Sequence, residues 1–221
     1  MARQIRTHVL VLAASKGGVG KTTIASALAV RAAADGKRVA LVDTDPQASL
    51  ERWWELRGEP DNPRIVGVDA SAEGLGHLIS EGFEWVIIDT PPALMDHIHE
   101  AVSVSDFVIV PTRASAIDVE AVSAVRDICV DLEKPFAFLL NAVEPGKKLT
   151  RTAAEYLQED GPLLDTQIPY RFDYVRAMTT GKSAPEIERG TLAEKDIDAL
   201  WAEIKKLTTR AINKRARANV Q

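Results

Sequence analysis

Cysteine is nearly absent from this chain, because Cys129 is the only one among its 221 residues. A single thiol cannot form an internal disulfide or supply a cysteine-based metal cage, so both kinds of site are excluded. The sequence also has no apolar run of about 18–20 residues, which a membrane-spanning helix would need. Its first segment, MARQIRTHVLVLAAS, lacks the length and the small-residue cleavage site of a signal peptide, and it predicts a strand instead. We therefore expect a cytoplasmic protein.

Neither sign of charge is in large excess, since 27 basic residues stand against 32 acidic ones and the net charge is −5. With 46% apolar residues, the composition is typical of a soluble globular protein. The charges are uneven near the end, however: residues 186–203 are mostly acidic, and every charged side chain from residue 205 onward is basic. The basic residues are Lys205, Lys206, Arg210, Lys214, Arg215 and Arg217. This asymmetry indicates a local contact with an anionic partner.

Short apolar runs alternate with helical stretches along the whole chain. The runs that we predict as strands are 7–14, 37–43, 64–69, 84–92, 106–111 and 135–141. Continuous apolar runs with turn residues at their ends suit strands buried on both faces of a parallel sheet. The segments with helical spacing between them include 20–35, 47–56 and 114–134. The pattern predicts an α/β fold with a doubly wound, mostly parallel sheet flanked by helices. We expect a single domain, 1–221, with a long C-terminal helix at about 191–217.

The segment SKGGVGKT, residues 15–22, lies between the first predicted strand and the first predicted helix. Glycines allow a tight turn in which successive backbone N–H groups point at phosphate oxygens, and the helix N-terminus adds partial positive charge. In this layout Lys21 reaches the β- and γ-phosphates of a nucleotide, and the Thr22 hydroxyl binds Mg²⁺. The alternative is a glycine-rich turn without a ligand. The motif favours ATP with Mg²⁺ as cofactors.

A second lysine, Lys16, makes the loop a deviant form of the usual phosphate-binding motif, with Ser15 at the first glycine position. The sequence K-G-G-x-G-K-[ST] resembles the ParA/MinD family of P-loop ATPases with a deviant Walker A motif. In that family the early lysine crosses a dimer interface to the nucleotide of the other subunit, which implies an ATP-dependent homodimer here. The alternative is a solvated lysine beside the loop. The resemblance implies that nucleotide is bound by Lys16, Gly17, Gly18, Val19, Gly20, Lys21, Thr22, Thr23 and Asn141.

Two carboxylates, Asp43 and Asp45, follow the second predicted strand in VALVDTDPQAS. This stretch resembles the D-x-D-P-Q switch segment of the family. The resemblance implies that Asp45 acts in hydrolysis by positioning water, together with the catalytic lysines Lys16 and Lys21, and that Asp43 supports Mg²⁺ or the loop geometry. The alternative role for either carboxylate, and for Asp45 in particular, is to cap the helix at 47–56.

Two later strands also end in polar residues. WVIIDTPP resembles a Walker B strand that ends in Asp89, a further Mg²⁺ ligand, followed by a second switch segment stiffened by its two prolines. Asn141 ends FLLN, where the family has an asparagine that binds the adenine, although a turn-capping role is the alternative. Residues 167–178 resemble the segment that packs along the base.

Three functions follow from the resemblance. The first is a ParA-type partition ATPase, nucleoid-associated, whose ATP dimer binds DNA without sequence preference and is released when a ParB-like adaptor stimulates slow hydrolysis. The second is a MinD-type membrane-cycling ATPase, and the third is a metabolic P-loop synthetase of the dethiobiotin-synthetase kind. The ending NKRARANVQ has no bulky apolar face, so we expect no stable membrane anchor and favour DNA contacts by the basic residues. A solvated helix end is the alternative. With the loop starting at Ser15, the chain resembles the small ParA proteins that lack an N-terminal helix-turn-helix domain.

Overall fold

The computed structural model describes residues 6–218, so residues 1–5 and 219–221 of the predicted domain lie outside the described part. The strands are β1 His8–Leu12, β2 Val39–Asp43, β3 Arg64–Ile65, β4 Trp85–Asp89, β5 Phe107–Thr112, β6 Phe136–Val143 and β7 Ile168–Pro169. The helices are α1 Lys21–Ala34, α2 Ser49–Leu56, α3 Ala72–Ser80, α4 Met95–Val104, α5 Ala116–Glu120, α6 Ser123–Asp131, α7 Lys148–Asp160, α8 Phe172–Met178, α9 Ala184–Ile187 and α10 Leu192–Ala218.

The described strands form one seven-stranded sheet in the order β3-β2-β4-β1-β5-β6-β7. Every pairing between these strands is parallel. The predicted fold class is therefore confirmed, and the sheet is wholly rather than mostly parallel in the described residues.

Alternate side chains of β1 pack into different layers. Leu10 and Leu12 belong to the apolar cluster that contains α1 and α10, whereas Val9 and Val11 belong to the cluster that contains α4, α6 and α7. All four side chains are buried. A strand covered on both faces must be apolar at every position, which explains the continuous run in the sequence.

Most predicted elements differ from the structure at their ends, and in three of them the backbone gives the reason. The strand expected at 64–69 pairs only over Arg64–Ile65, because the Val68 N–H turns back to the Val66 carbonyl, 3.0 Å away. The helix expected from residue 47 begins at Ser49, since Ala48 has a left-handed φ of 50°. The helical stretch 114–134 is divided into α5 and α6 by a break after Glu120.

The carboxyl ends of β1 and β5 lie side by side in the sheet. The helix that follows β1 packs on one face, and the helices that follow β5 pack on the other. Neighbouring strands whose connections diverge in this way leave a crevice at the carboxyl edge, where ligands bind in open α/β folds. The segments 13–20 and 113–118 meet at this crevice.

The long helix α10 covers the face that α1 also covers. Its buried side chains include Leu200, Trp201, Ile204 and Ile212. Among the described residues, no helix is both long enough and apolar enough to cross a membrane.

Candidate functional site

The loop between β1 and α1 is shaped by glycines with positive φ. Gly20, which precedes α1, has a φ of 97°, and a Cβ built there would lie 2.2 Å from Asn141 Nδ2. The Asn141 Nδ2 donates a hydrogen bond to the Val19 carbonyl at 2.7 Å. Gly20 is therefore needed both for its backbone conformation and for the close approach of Asn141, which ties the loop to the end of β6.

Thr22 and Asp89 meet beneath the loop. The Thr22 hydroxyl donates to Asp89 Oδ2 at 2.6 Å, while Asp89 Oδ1 is buried and has no hydrogen-bond partner among the described residues. Burial raises the pKa of Asp89 to about 7. The hydrogen bond from Thr22 lowers this pKa, whereas repulsion by the charge of Asp43 raises it further. A buried carboxylate with an unused oxygen beside a threonine hydroxyl fits a hydrated Mg²⁺, because hard oxygen donors are the ligands that this ion prefers.

Lys21 begins α1 and is largely buried. Burial lowers the pKa of its ammonium group, and the charges of Asp89 and Asp45 oppose that shift. The structure thus places this cation at the start of α1, directly after the loop, and its contact with the β- and γ-phosphates stays a prediction.

The two aspartates of the D-x-D segment have different partners. Asp43 Oδ1 accepts from the Asp45 N–H at 3.0 Å, and Asp43 Oδ2 accepts from the N–H groups of Leu50 and Glu51 at 2.9 and 3.1 Å. Asp43 thus shapes the segment and stabilises the start of α2, which favours the loop-geometry alternative over direct Mg²⁺ binding. Asp45 Oδ1 accepts only from the nearby Gln47 N–H, at 2.9 Å, among the hydrogen bonds of the described residues.

Lys16 is held within its own protomer. Its Nζ lies 2.5 Å from Asp118 Oδ1, and the Ser115 hydroxyl donates to Asp118 Oδ2 at 2.6 Å. Ser15, at the first glycine position of the motif, donates to the Ala121 carbonyl at 2.7 Å. The loop is therefore connected on one side to the segment that follows β5.

A cavity of about 360 Å³ opens beside the loop. The segment predicted to pack along the base supplies Pro169, Tyr170, Val175 and Met178 to its wall, and Thr23 and Asn141 also line it. An apolar pocket with an amide side chain suits a purine ring.

Sequence reasoning missed Asp118 and Arg113, which both follow β5. Asp118 is the ion-pair partner of Lys16, and Arg113 donates a hydrogen bond to the Gly18 carbonyl. The sequence did contain a pattern that could have identified both residues. They are polar residues that closely follow a buried strand, at the edge of the sheet where ligands bind.

The predicted DNA-binding residues divide into two groups on α10. The side chains of Lys206, Arg210, Lys214 and Arg217 are exposed, and their spacing of four, four and three residues places them along one face of the helix. Lys205 instead contacts Asp35, with its Nζ 2.6 Å from Asp35 Oδ2. The side chain of Arg215 lies outside what the structure describes.

The parallel sheet, the glycine loop and the Thr22–Asp89 pair define a P-loop nucleotide-binding protein with a second loop lysine. Residues 10–184 match the CobQ/CobB/MinD/ParA nucleotide binding domain. The chain belongs to this family, which confirms the resemblance seen in the sequence.

The relatives and structural neighbours include proteins named for carboxysome distribution and for plasmid partition. The chain is 28% identical over 211 residues to the maintenance of carboxysome distribution protein A of Halothiobacillus neapolitanus, covering 90% of this chain and 97% of the relative. The protein of the same name from Gloeobacter kilaueensis is 32% identical over 177 residues, which cover 77% of each chain. A plasmid partition protein of Borrelia burgdorferi B31, solved with AMPPNP, has a TM-score of 0.75 at 20% identity, covering 91% of this chain and 99% of that one.

Proposed function

We propose that the protein is a ParA-like positioning ATPase whose ATP-bound dimer binds DNA without sequence preference. The observation that carries this proposal is the basic stripe of α10, defined as Lys206, Arg210, Lys214 and Arg217, on a protein with a P-loop site. These side chains are exposed along one face of the helix, where they can neutralise the phosphates of one duplex. The similarity to carboxysome-distribution and plasmid-partition proteins supports the same function.

In this proposal ATP binds with its phosphates on the loop and on Lys21. Thr22 and Asp89 hold Mg²⁺, which supplies charge neutralisation at the phosphate chain. Asn141 contacts the adenine through its amide oxygen and through the second N–H of Nδ2, since only one N–H is used by the Val19 carbonyl. Asp45 orients water for hydrolysis, and its single described hydrogen bond leaves carboxylate acceptor capacity for that role.

Lys16 acts on the nucleotide of the partner subunit. Its side chain is 40% exposed at the carboxyl edge of the sheet, so a second subunit can reach it. An additional cation lowers the cost of burying a triphosphate between two protein surfaces. Dimerisation also doubles the number of basic stripes, which explains how a protein of net charge −5 binds DNA in its ATP state.

An adaptor protein of the ParB kind then stimulates hydrolysis, and the subunits leave the DNA. The protein would accordingly be cytoplasmic and associated with the nucleoid. A plasmid, a chromosome or a protein cluster would serve equally as cargo, because the DNA-bound dimer works in the same way for each.

The test is binding to random-sequence duplex DNA with ATP and with ADP, using Asp45→Ala protein to slow hydrolysis. We expect binding only with ATP, with an affinity that falls steeply with salt. The triple variant Lys206→Gln, Arg210→Gln, Lys214→Gln should bind weakly, and its salt slope should be smaller by about 0.9 for each phosphate that the protein no longer neutralises.

A matched control changes three exposed basic residues of the opposite layer, Lys147→Gln, Lys148→Gln and Arg151→Gln. This control should keep the salt slope of the parent protein. Intact dimerisation without DNA binding would contradict the proposal. Binding to anionic vesicles instead would favour the MinD-type function, and phosphoryl transfer to a small acceptor would favour the synthetase.

A further inference from the structure

Arg113 is the first residue after β5, the strand that lies next to β1 in the sheet. This position is at the crevice between the ends of β1 and β5. The residue lines the cavity beside the loop, together with Gly18, Thr23 and Asn141. A cation at this place faces the same space as the predicted nucleotide-binding residues.

The Arg113 guanidinium is already attached to the phosphate loop. It donates to the Gly18 carbonyl, and Gly18 has a positive φ of 72°. A Cβ built on Gly18 would lie 3.5 Å from the Arg113 guanidinium, so the side chain packs directly over this glycine. The contact orients Arg113 but uses only one of the five N–H donors that an arginine carries.

Arg113 interacts with the carboxylate of Asp118 only at longer range, where its charge helps to lower the pKa of that group. No carboxylate in the described part of the chain forms an ion pair with it, and the nearby carboxylate of Asp118 is paired with Lys16. A charged guanidinium held beside a phosphate-binding loop with free donors suits a phosphate oxygen, because arginine forms strong paired hydrogen bonds with phosphate.

We propose that Arg113 binds the phosphate chain of the nucleotide in its own protomer, as a further cation beside Lys21. The proposal rests on the proposed nucleotide binding of the loop and assigns it a residue that the loop motif does not contain. Arg113 has two effects: it fixes the Gly18 carbonyl, and it adds one positive charge to the phosphate site.

The test compares Arg113→Gln with Arg113→Lys by equilibrium titration at a protein concentration where the chain is monomeric. The ligands are ATP, ADP, inorganic tripolyphosphate and adenosine. Since hydrogen bonds to charged groups are strong, we expect Arg113→Gln to weaken ATP, ADP and tripolyphosphate about 10-fold or more and to leave adenosine unchanged. Arg113→Lys should recover part of the loss, because it keeps the charge without the fork geometry.

The control is Arg151→Gln, which removes an exposed arginine of α7 away from the cavity and should leave all four affinities unchanged. An equal loss for adenosine would show that Arg113 only shapes the loop, and unchanged ATP affinity in Arg113→Gln would overturn the proposal outright. Parent protein that binds no ATP would instead overturn the proposed function itself, so the two failures are distinguishable.

Discussion

Lys16 Nζ and Asp118 Oδ1 lie 2.5 Å apart within one protomer, so the second loop lysine is paired before any partner subunit arrives. Burial raises the pKa of Asp118, but the Lys16 and Ser115 contacts outweigh it and the pKa lies below its usual value. A contact between Lys16 and the nucleotide of another subunit must therefore compete with this internal ion pair.

Asp118→Asn should strengthen ATP-dependent dimerisation, because it removes the competing ion pair while keeping the shape of the side chain. A partly exposed pair is worth up to about 1 kcal/mol, and two such pairs compete with formation of one symmetric dimer, so we expect the dimer dissociation constant to fall by up to about 30-fold. Analytical ultracentrifugation with ATP in the Asp45→Ala background measures this. Glu120→Gln, an exposed carboxylate of the same helix, is the control and should not change it. A weaker Asp118→Asn dimer would mean that Asp118 supports the dimer.

Lys16→Ala and Lys21→Ala should separate the two lysines of the loop. Lys16→Ala should abolish ATP-dependent dimerisation and leave nucleotide binding by the monomer largely intact. Lys21→Ala should lose nucleotide binding itself, since Lys21 is buried next to the loop and Asp89. Two measurements distinguish these outcomes. Titration of a fluorescent ATP analogue reports nucleotide binding, and the molecular mass in solution reports dimerisation. A Lys16→Ala protein that still dimerises with ATP would contradict a role for Lys16 across the interface.

Gly20→Ala should disrupt the loop through two causes. The φ of 97° strains any L side chain, and the new Cβ would lie 2.2 Å from Asn141 Nδ2. Gly36→Ala is the matched control, because Gly36 has a φ of 74° with no atom within 4 Å of the added Cβ. We expect a loss of about 1 kcal/mol in the control from backbone strain, and a larger loss in Gly20→Ala together with lost nucleotide binding. Equal losses in the two variants would show that the Asn141 contact is unimportant.

The fold and the phosphate loop were predictable because their signals are local in the chain. Continuous apolar runs such as that of β4 require burial on both faces, and the loop motif fixes the neighbours of Lys21. The partner of Lys16 was not predictable in this way, since Asp118 lies 102 residues further along and meets it only because β5 pairs with β1. The pairing of Lys205 with Asp35 was missed for the same reason: nothing local in the chain links the two charges, and only the packing of α10 on α1 brings them together.

Asp89→Asn should remove a pH-dependent loss of stability. The folded-state pKa of about 7 lies above the ordinary value of 3.8, so the folded state retains a proton that the unfolded state releases. Stability of the parent protein should therefore fall as pH rises from about 4 to about 7. Relative to the variant, we expect a decrease on the order of 3 kcal/mol between pH 4 and pH 8, measured by urea unfolding.

The exposed variant Asp131→Asn is the control for this titration and should follow the parent protein. Mg²⁺ with ATP should raise the stability of the parent at pH 8 and have little effect on Asp89→Asn. The alternative outcome is that the difference in unfolding free energy between the parent and Asp89→Asn is the same at both pH values. Asp89 would then be already ionised in the folded protein at low pH.

Asp35→Asn should loosen the attachment of α10 to α1. The Asp35 carboxylate accepts hydrogen bonds from Lys205 at 2.6 Å, Trp201 Nε1 at 2.8 Å and Arg31 at 2.9 Å, and these contacts hold its pKa well below 3.8. Because the folded-state pKa is depressed, the stabilisation is fully present above about pH 4 and is lost as pH falls towards the folded-state pKa. We expect Asp35→Asn to cost about 1–2 kcal/mol at pH 7, with the difference from the parent shrinking below pH 4.

A double-mutant cycle of Asp35→Asn with Lys205→Gln measures how much of the stabilisation by Asp35 comes from its ion pair with Lys205. The exposed variant Asp61→Asn serves as the control. If Lys205 stabilises the fold through Asp35, the two substitutions should be less than additive in urea unfolding, and Lys205→Gln should reduce DNA affinity less than Lys206→Gln does. Additive losses would contradict this role of Lys205. An equal effect of the two lysines on the salt dependence of DNA binding would show that Lys205 contacts DNA as the basic stripe does.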